Sequence, residues 1–207
     1  MRARIKPCLL SCSVLKDELE TLVRTGALDA SLAFYRMELH SDYGSLEKAL
    51  RRKIEEKRAQ GYEVVVINGD YCLGSDNEMK KLIEEYGIRK VDALNCIDCL
   101  FGGKGKYLEA DPNQERIFLS PGWIKYFIRK KKSAEGKSHE EILKNLFSGL
   151  KGIVLLDSLG NMEHHKEEIK ELQDFTGLPI LETRNIGLSN LTQLVNEATK
   201  TLNPTAK

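Results

Sequence analysis

The sequence predicts an α/β protein with a mainly parallel sheet and helices on both faces, a Rossmann-like arrangement. Three observations predict it. Short β-rich runs alternate with longer amphipathic segments along the chain, the pattern of parallel strands joined by crossover helices. The run Val64-Val65-Val66-Ile67 is apolar without alternation, as a strand buried on both faces requires. Gly87 and Pro121-Gly122 fall where the periodicity changes, so they read as stops.

In chain order, Ile5–Leu10 reads as the first strand. A helix follows near Ser13, with Leu15, Leu19, Leu22 and Val23 at helical spacing. Ala30–Leu39 reads as a second strand. From Ser45 to Gln60, Leu46, Ala49, Leu50 and Ile54 fall on one helix face and Lys, Arg and Glu on the other. Tyr62–Ile67 is the buried strand, and Asn77–Tyr86 is a helix that Gly87 ends, as a residue able to turn left-handed does. Lys90–Leu94 is the next strand, and Phe101-Gly102-Gly103-Lys104-Gly105 a flexible loop. A strand at Arg116–Ser120 is broken by Pro121-Gly122, and Arg129-Lys130-Lys131-Lys132 begins a charged linker. Ser138-His139-Glu140-Glu141 is a capping box opening a helix to about Gly149. Gly152–Leu156, a helix near Glu163–Phe175, Pro179–Glu182 and a last helix from about Ser189 complete the alternation. The reading gives a single domain over residues 1–207, or equally two lobes with a boundary near residues 131–137.

The 207 residues are 41% hydrophobic and carry a formal net charge of +1. A core of ordinary size is expected, and no general electrostatic pull toward nucleic acid or an anionic membrane. No apolar run is long enough to span a bilayer, and the first residues do not read as a signal peptide. A cytoplasmic location is therefore expected. The oligomeric state is open.

All five cysteines, at positions 8, 12, 72, 96 and 99, lie in the first half. In a reducing compartment they read as free, metal-binding or redox-active thiols rather than disulfides. Cys12, Cys72 and Cys96 each sit where an apolar run gives way to a turn. The carboxyl ends of parallel strands are where α/β sites are built. Three thiolates delivered there would favour zinc, copper(I) or an iron–sulfur cluster, although buried cysteines also serve as small apolar residues. Cys12 precedes a helix start, which is expected to favour its thiolate. Cys99 completes a C-x-x-C with Cys96 and ranks below it.

His40, near the end of the second strand, is a candidate fourth ligand or general acid/base. Asp98 and Glu18 stand beside the cysteine motifs as groups that could orient a ligand or move a proton; Glu18 could equally be an exposed helix acid pairing with Lys16 or Arg24. Gly69, Asp70, Gly102 and Trp123 are the candidate cofactor-binding positions. Of these, Gly102-Gly103-Lys104-Gly105 lacks the spacing of a P-loop. Trp123 either walls a ligand pocket or packs in the interior. His164-His165, in a charged helix start, reads as a solvated face.

The stretches Ser11-Cys12-Ser13-Val14-Leu15-Lys16-Asp17-Glu18-Leu19-Glu20, Leu39-His40, Asn68-Gly69-Asp70-Tyr71-Cys72, Asn95-Cys96-Ile97-Asp98-Cys99-Leu100-Phe101-Gly102 and Leu119-Ser120-Pro121-Gly122-Trp123-Ile124 together resemble an uncharacterised family of anaerobes and methanogenic archaea, domain of unknown function 1638. The family's three cysteines fall on Cys12, Cys72 and Cys96, while Cys8 and Cys99 have no counterpart. The sequence departs from the commonest family form around Gly69-Asp70-Tyr71-Cys72-Leu73-Gly74. The resemblance implies a one-carbon or corrinoid setting beside methylamine-type methyltransferases, with a corrinoid protein or a methyltransferase as partner. The leading expectation is a zinc site on the three cysteines, its fourth position open or filled by His40, Cys99 or an exogenous ligand. The alternative is a non-catalytic module holding an iron–sulfur cluster or a corrinoid. No Asp-x-His-x-x-Gly corrinoid signature occurs.

Overall fold

A computed structural model of the chain describes residues 6–133 and 147–200. Its strands are β1 (Pro7–Cys12), β2 (Ser31–Tyr35), β3 (Glu63–Ile67), β4 (Arg89–Lys90), β5 (Arg116–Leu119), β6 (Gly152–Asp157) and β7 (Ile180–Asn185). The helices named below are α1 (Lys16–Arg24), α2 (Tyr43–Ala59), α3 (Glu78–Tyr86), α4 (Cys96–Phe101), α5 (Lys106–Ala110), α6 (Pro121–Ser133), α7 (Lys166–Thr176) and α8 (Ser189–Lys200). The chain divides into two compact units. The first comprises Met1–Lys106 with Leu188–Lys207, and the second is Tyr107–Gly187.

The first unit holds a four-stranded, all-parallel sheet in the order β2-β1-β3-β4. From β1 the chain moves outward to β2, then returns across β1 to β3. Right-handed crossovers therefore set α1 and α2 on opposite faces. The central strands are buried on both sides, with Leu9, Val65 and Val66 fully inaccessible, as their unbroken apolar character requires. α2 seals one face with Leu46, Leu50 and Ile54. Its start is fixed by Asp42, whose carboxylate accepts from the Gly44 and Ser45 N–H groups. α8 returns late in sequence to pack on α4 and β3.

The second unit holds a three-stranded parallel sheet, β5-β6-β7. Its strands advance in one direction, so its crossover helices fall on one face, where α6 and α7 pack together. The core there joins Leu119, Ile124, Phe127, Ile153, Leu155, Met162 and Leu172.

Several expectations are corrected. β2 stops at Tyr35, and His40 belongs to a 3-10 turn, Met37–Ser41. β4 is two residues long. Pro121-Gly122 does end β5 as expected, and it also opens α6, since proline fits the first helical position. Arg129-Lys130-Lys131-Lys132 lies within α6 rather than in a linker. Of the sequence-read lobe boundary, 131–133 belong to α6. Residues 134–137 and the capping box Ser138-His139-Glu140-Glu141 lie outside the described residues. His165 is buried, not solvated.

Candidate functional site: a thiol cluster at the edge of the first sheet

The winding of the first sheet reverses between β1 and β3, and such a reversal opens a crevice at the carboxyl ends of the two strands. Cys12 is the last residue of β1, and its Cα partner on β2 is Tyr35. Asn68 is the first residue after β3, and its side-chain amide N–H donates to the Tyr35 hydroxyl. Because β1 lies between β2 and β3, that hydrogen bond spans the sheet edge across the end of β1, where Cys12 sits. Tyr35 is 4% exposed and Asn68 2%. The remaining amide atom, Asn68 Oδ1, is buried without a hydrogen-bond partner.

Cys72 lies in the 3-10 turn Asp70–Leu73 that follows β3. Two backbone hydrogen bonds, Asp70 N–H to Ala93 O at 2.9 Å and Tyr71 N–H to Leu94 O at 3.0 Å, tie this turn to the segment leading into α4. Gly69 makes the approach feasible. A Cβ at this position would run into the Leu94 carbonyl and the Asn95 nitrogen. Asn95 caps α4 by accepting from the Asp98 N–H at 2.9 Å, which leaves Cys96 as the first helical residue.

Three segments therefore deliver three thiols toward one buried phenol. Burial first, then the Cys12 and Cys72 sulfurs and more weakly Cys96, push the Tyr35 hydroxyl well above its ordinary pKa, against the Asn68 hydrogen bond. Burial also raises Cys12 to about 12, opposed by hydrogen bonds from the Val14 backbone and Tyr35. That reverses the expected thiolate preference, because the turn after Cys12 is a single 3-10 turn, Ser13–Leu15, with too few aligned peptides to outweigh desolvation. Cys72 and Cys99 are raised by burial as well, and the nearby Cys72 sulfur raises Cys99 further. A cation placed among such thiols is what would convert them to thiolates near neutral pH.

His40 Nδ1 lies 3.0 Å from the Met37 carbonyl and 3.9 Å from Cys12 Sγ. A carbonyl only accepts, so Nδ1 carries the proton and Nε2 holds the lone pair. Burial lowers the His40 pKa despite the Met37 hydrogen bond, which favours this neutral ring. Among the described residues, no group of three or more His, Cys, Asp and Glu side chains stands at metal-holding spacing.

A family model described as a protein of unknown function, DUF1638, matches residues 34–195. The chain belongs to this family. No curated protein and no solved structure matches the chain. The match takes in Tyr35, His40, Asn68, Cys72 and Cys96 but begins after Cys12, so in this DUF1638 protein Cys12 joins the cluster through its register with Tyr35.

The remaining sequence-read positions take other places. Asp98 is fully buried, and its carboxylate accepts from the Leu94 N–H at 2.9 Å and the Gly105 N–H at 2.7 Å, which ties both ends of α4 together. Glu18 is 1% exposed in α1, so the reading of an exposed helix acid is corrected. Gly102 caps α4 at φ +100°, with Asn190 of α8 against it. Trp123 belongs to the second unit, where it packs edge-on against Tyr126 and beside Phe127. Tyr35 and Asn68 are the site residues that sequence reading missed. Tyr35 sat in the middle of an overlong expected strand, and Asn68 was passed over as the first residue of a turn.

Asp70 bridges Lys90 at 2.7 Å and Lys104 at 2.8 Å beside a cleft of about 510 Å³. Burial alone would raise its carboxyl, but the hydrogen bonds from Lys104 and Lys90 hold it below the ordinary value. A carboxyl depressed in the folded state stabilises above its unfolded pKa, near about 4, and that stabilisation is lost as the pH falls through the folded value. Partly exposed pairs contribute at most about 1 kcal/mol. Urea midpoints of the native chain and of Lys104→Met should therefore differ at pH 6 and converge on acidification toward pH 3. A gap that stays constant with pH would refute the role.

Proposed function

We propose that Cys12, Cys72 and Cys96 hold a soft metal ion, zinc first, at the carboxyl edge of the first sheet, with the fourth position open or filled by His40, Cys99 or an exogenous ligand. The convergence of three thiols from three segments on the buried Tyr35 hydroxyl carries this reading. Cysteine sulfur and neutral imidazole are the donor set zinc prefers. The unpartnered Asn68 Oδ1 marks unmet polar demand in the same crevice. Bound zinc would supply a Lewis acid that keeps a coordinated thiol deprotonated near neutral pH.

The chain's own residues would do the rest. The Met37 carbonyl fixes the His40 ring with its Nδ1 edge toward Cys12. The Asn68–Tyr35 bridge supplies hydrogen-bond donors beside the Cys12 and Cys72 sulfurs. The Asp98 clasp holds the α4 segment that carries Cys96. The resemblance of the cysteine motifs to a family found beside methylamine-type methyltransferases supports a role in corrinoid-linked methyl metabolism, and we read the protein as cytoplasmic. Among the described residues no helix is long and apolar enough to cross a membrane.

Elemental analysis of protein purified without oxygen tests the reading. About one zinc per chain is expected, with Cys12→Ala, Cys72→Ala and Cys96→Ala each losing it while the fold is retained by circular dichroism. Iron with acid-labile sulfide would replace zinc by a cluster. Metal-free protein, or zinc that survives all three substitutions, would end the proposal.

A further inference from the structure

β7 is an edge of the second unit's sheet, and Leu181, Glu182, Thr183 and Asn185 along it are exposed. An edge strand presents a row of backbone donors and acceptors on which another strand can form. The Ile186 N–H bonds the Asp157 carbonyl of β6 at 3.0 Å, and Arg184 is the register partner of Leu156. Backbone groups alternate in direction along a parallel ladder. Residues 184 and 186 therefore turn their backbone groups to β6, and Thr183 turns its N–H and C=O to the open side.

Thr183 is flanked by Glu182 and Arg184, which project on the same face and pair with each other through Arg184 Nε at 2.8 Å. We propose that β7 pairs antiparallel with β7 of a second copy of this chain, about a two-fold axis at Thr183. In that register the two Thr183 residues form a hydrogen-bonded pair and exchange both N–H···O bonds. Glu182 then stands directly opposite Arg184 of the second copy, and Arg184 opposite its Glu182. These fall at the non-hydrogen-bonded positions, where side chains come closest. The two ion pairs are equivalent by symmetry, as a self-complementary interface requires.

Two features of the strand agree on this register. Moving the axis to Glu182 would oppose two like charges and present backbone groups already used by β6. Moving it to Asn185 would leave Glu182 and Arg184 without each other. Edge charges ordinarily block pairing by opposing like signs. Here the opposite signs on either side of Thr183 turn the same device into a specification. Leu181, 46% exposed, would be covered by the incoming strand.

Sedimentation equilibrium of the full chain over a wide concentration range tests the proposal. The native chain should form a concentration-dependent dimer. Glu182→Arg alone, or Arg184→Glu alone, sets like charges opposite at both symmetric positions and should weaken association about tenfold or more. The double substitution Glu182→Arg with Arg184→Glu restores both pairs between the copies and should restore the dimer, although within each chain it gives up the Glu182 contact to Arg116 at 3.9 Å. Thr183→Pro, which removes the central N–H donor, should abolish it. Melting curves of the variants separate loss of association from loss of fold, since each single substitution also breaks the pair within one chain. A native chain that stays monomeric throughout overturns the proposal, as does a dimer indifferent to the single reversals or one that the double exchange fails to rescue.

Discussion

Replacing Gly69 with alanine is expected to cost the first unit about 3 kcal/mol or more, or to abolish soluble folding, because overpacking against rigid surroundings is expensive. The reason is contact rather than backbone freedom. Gly69 has φ −81°, which any residue adopts. The added methyl, however, would meet main-chain atoms of Leu94 and Asn95, which cannot swing aside as a flexible side chain can. The bonds Asp70 N–H to Ala93 O and Tyr71 N–H to Leu94 O hold the two segments at that approach. Separating them would also pull the Cys72 turn away from the start of α4. Gly61→Ala is the control. Gly61 has φ +83° and open space around its Cα, so alanine there should cost about 1–2 kcal/mol from the left-handed backbone alone. Urea denaturation of the two variants decides the matter, and a Gly69→Ala chain no less stable than Gly61→Ala would refute the account.

Asp98→Ala should be nearly as damaging. It leaves the Leu94 and Gly105 N–H groups without their shared acceptor, and an unsatisfied buried donor costs about 1–3 kcal/mol. A total loss of about 2–6 kcal/mol follows for the two donors. Asp98→Asn keeps one acceptor oxygen at the same place and should lose about half as much, since it gives up the charge but not the clasp. Faster hydrogen exchange at Leu94 and Gly105 in Asp98→Ala would locate the damage. Equal stability of the alanine and asparagine variants would show that the clasp is not what Asp98 supplies. The comparison also separates two roles that the sequence left together. A proton-transfer group would be silenced by asparagine with stability intact, whereas a structural carboxylate tolerates asparagine far better than alanine.

How the fold was legible shows in particular residues. Val64 to Ile67 could only be a strand covered on both faces, and residues with no polar face leave no other use for the run. The helix stop at Gly87 was equally plain; the residue sits at φ +57° and ends α3. Elements set by local chemistry were therefore readable, and so were the places of Cys12 at the end of β1 and Cys72 in the turn after β3, whereas Cys96 opens α4 instead of ending a strand. Harder to read was Pro121-Gly122, since proline both breaks a strand and starts a helix. Whether the basic run after Arg129 is linker or helix depends on what its apolar neighbours pack against, and Ile124, Phe127 and Ile128 bury themselves in the second unit's core.

The sequence by itself determined the parallel α/β class, the alternation of strands and helices, and the placing of Cys12 and Cys72 just where strands end, because each follows from local periodicity and turn chemistry. Only the tertiary structure decided that β1 lies between β2 and β3, which sets Tyr35 and Asn68 on either side of Cys12 and joins them. It also decided that Asp98 is a buried clasp, that Trp123 packs in the second unit, and that burial raises the Cys12 thiol when its position before a turn suggested the opposite. Strand order, burial and desolvation arise from contacts between residues far apart in the chain, and no local pattern records them.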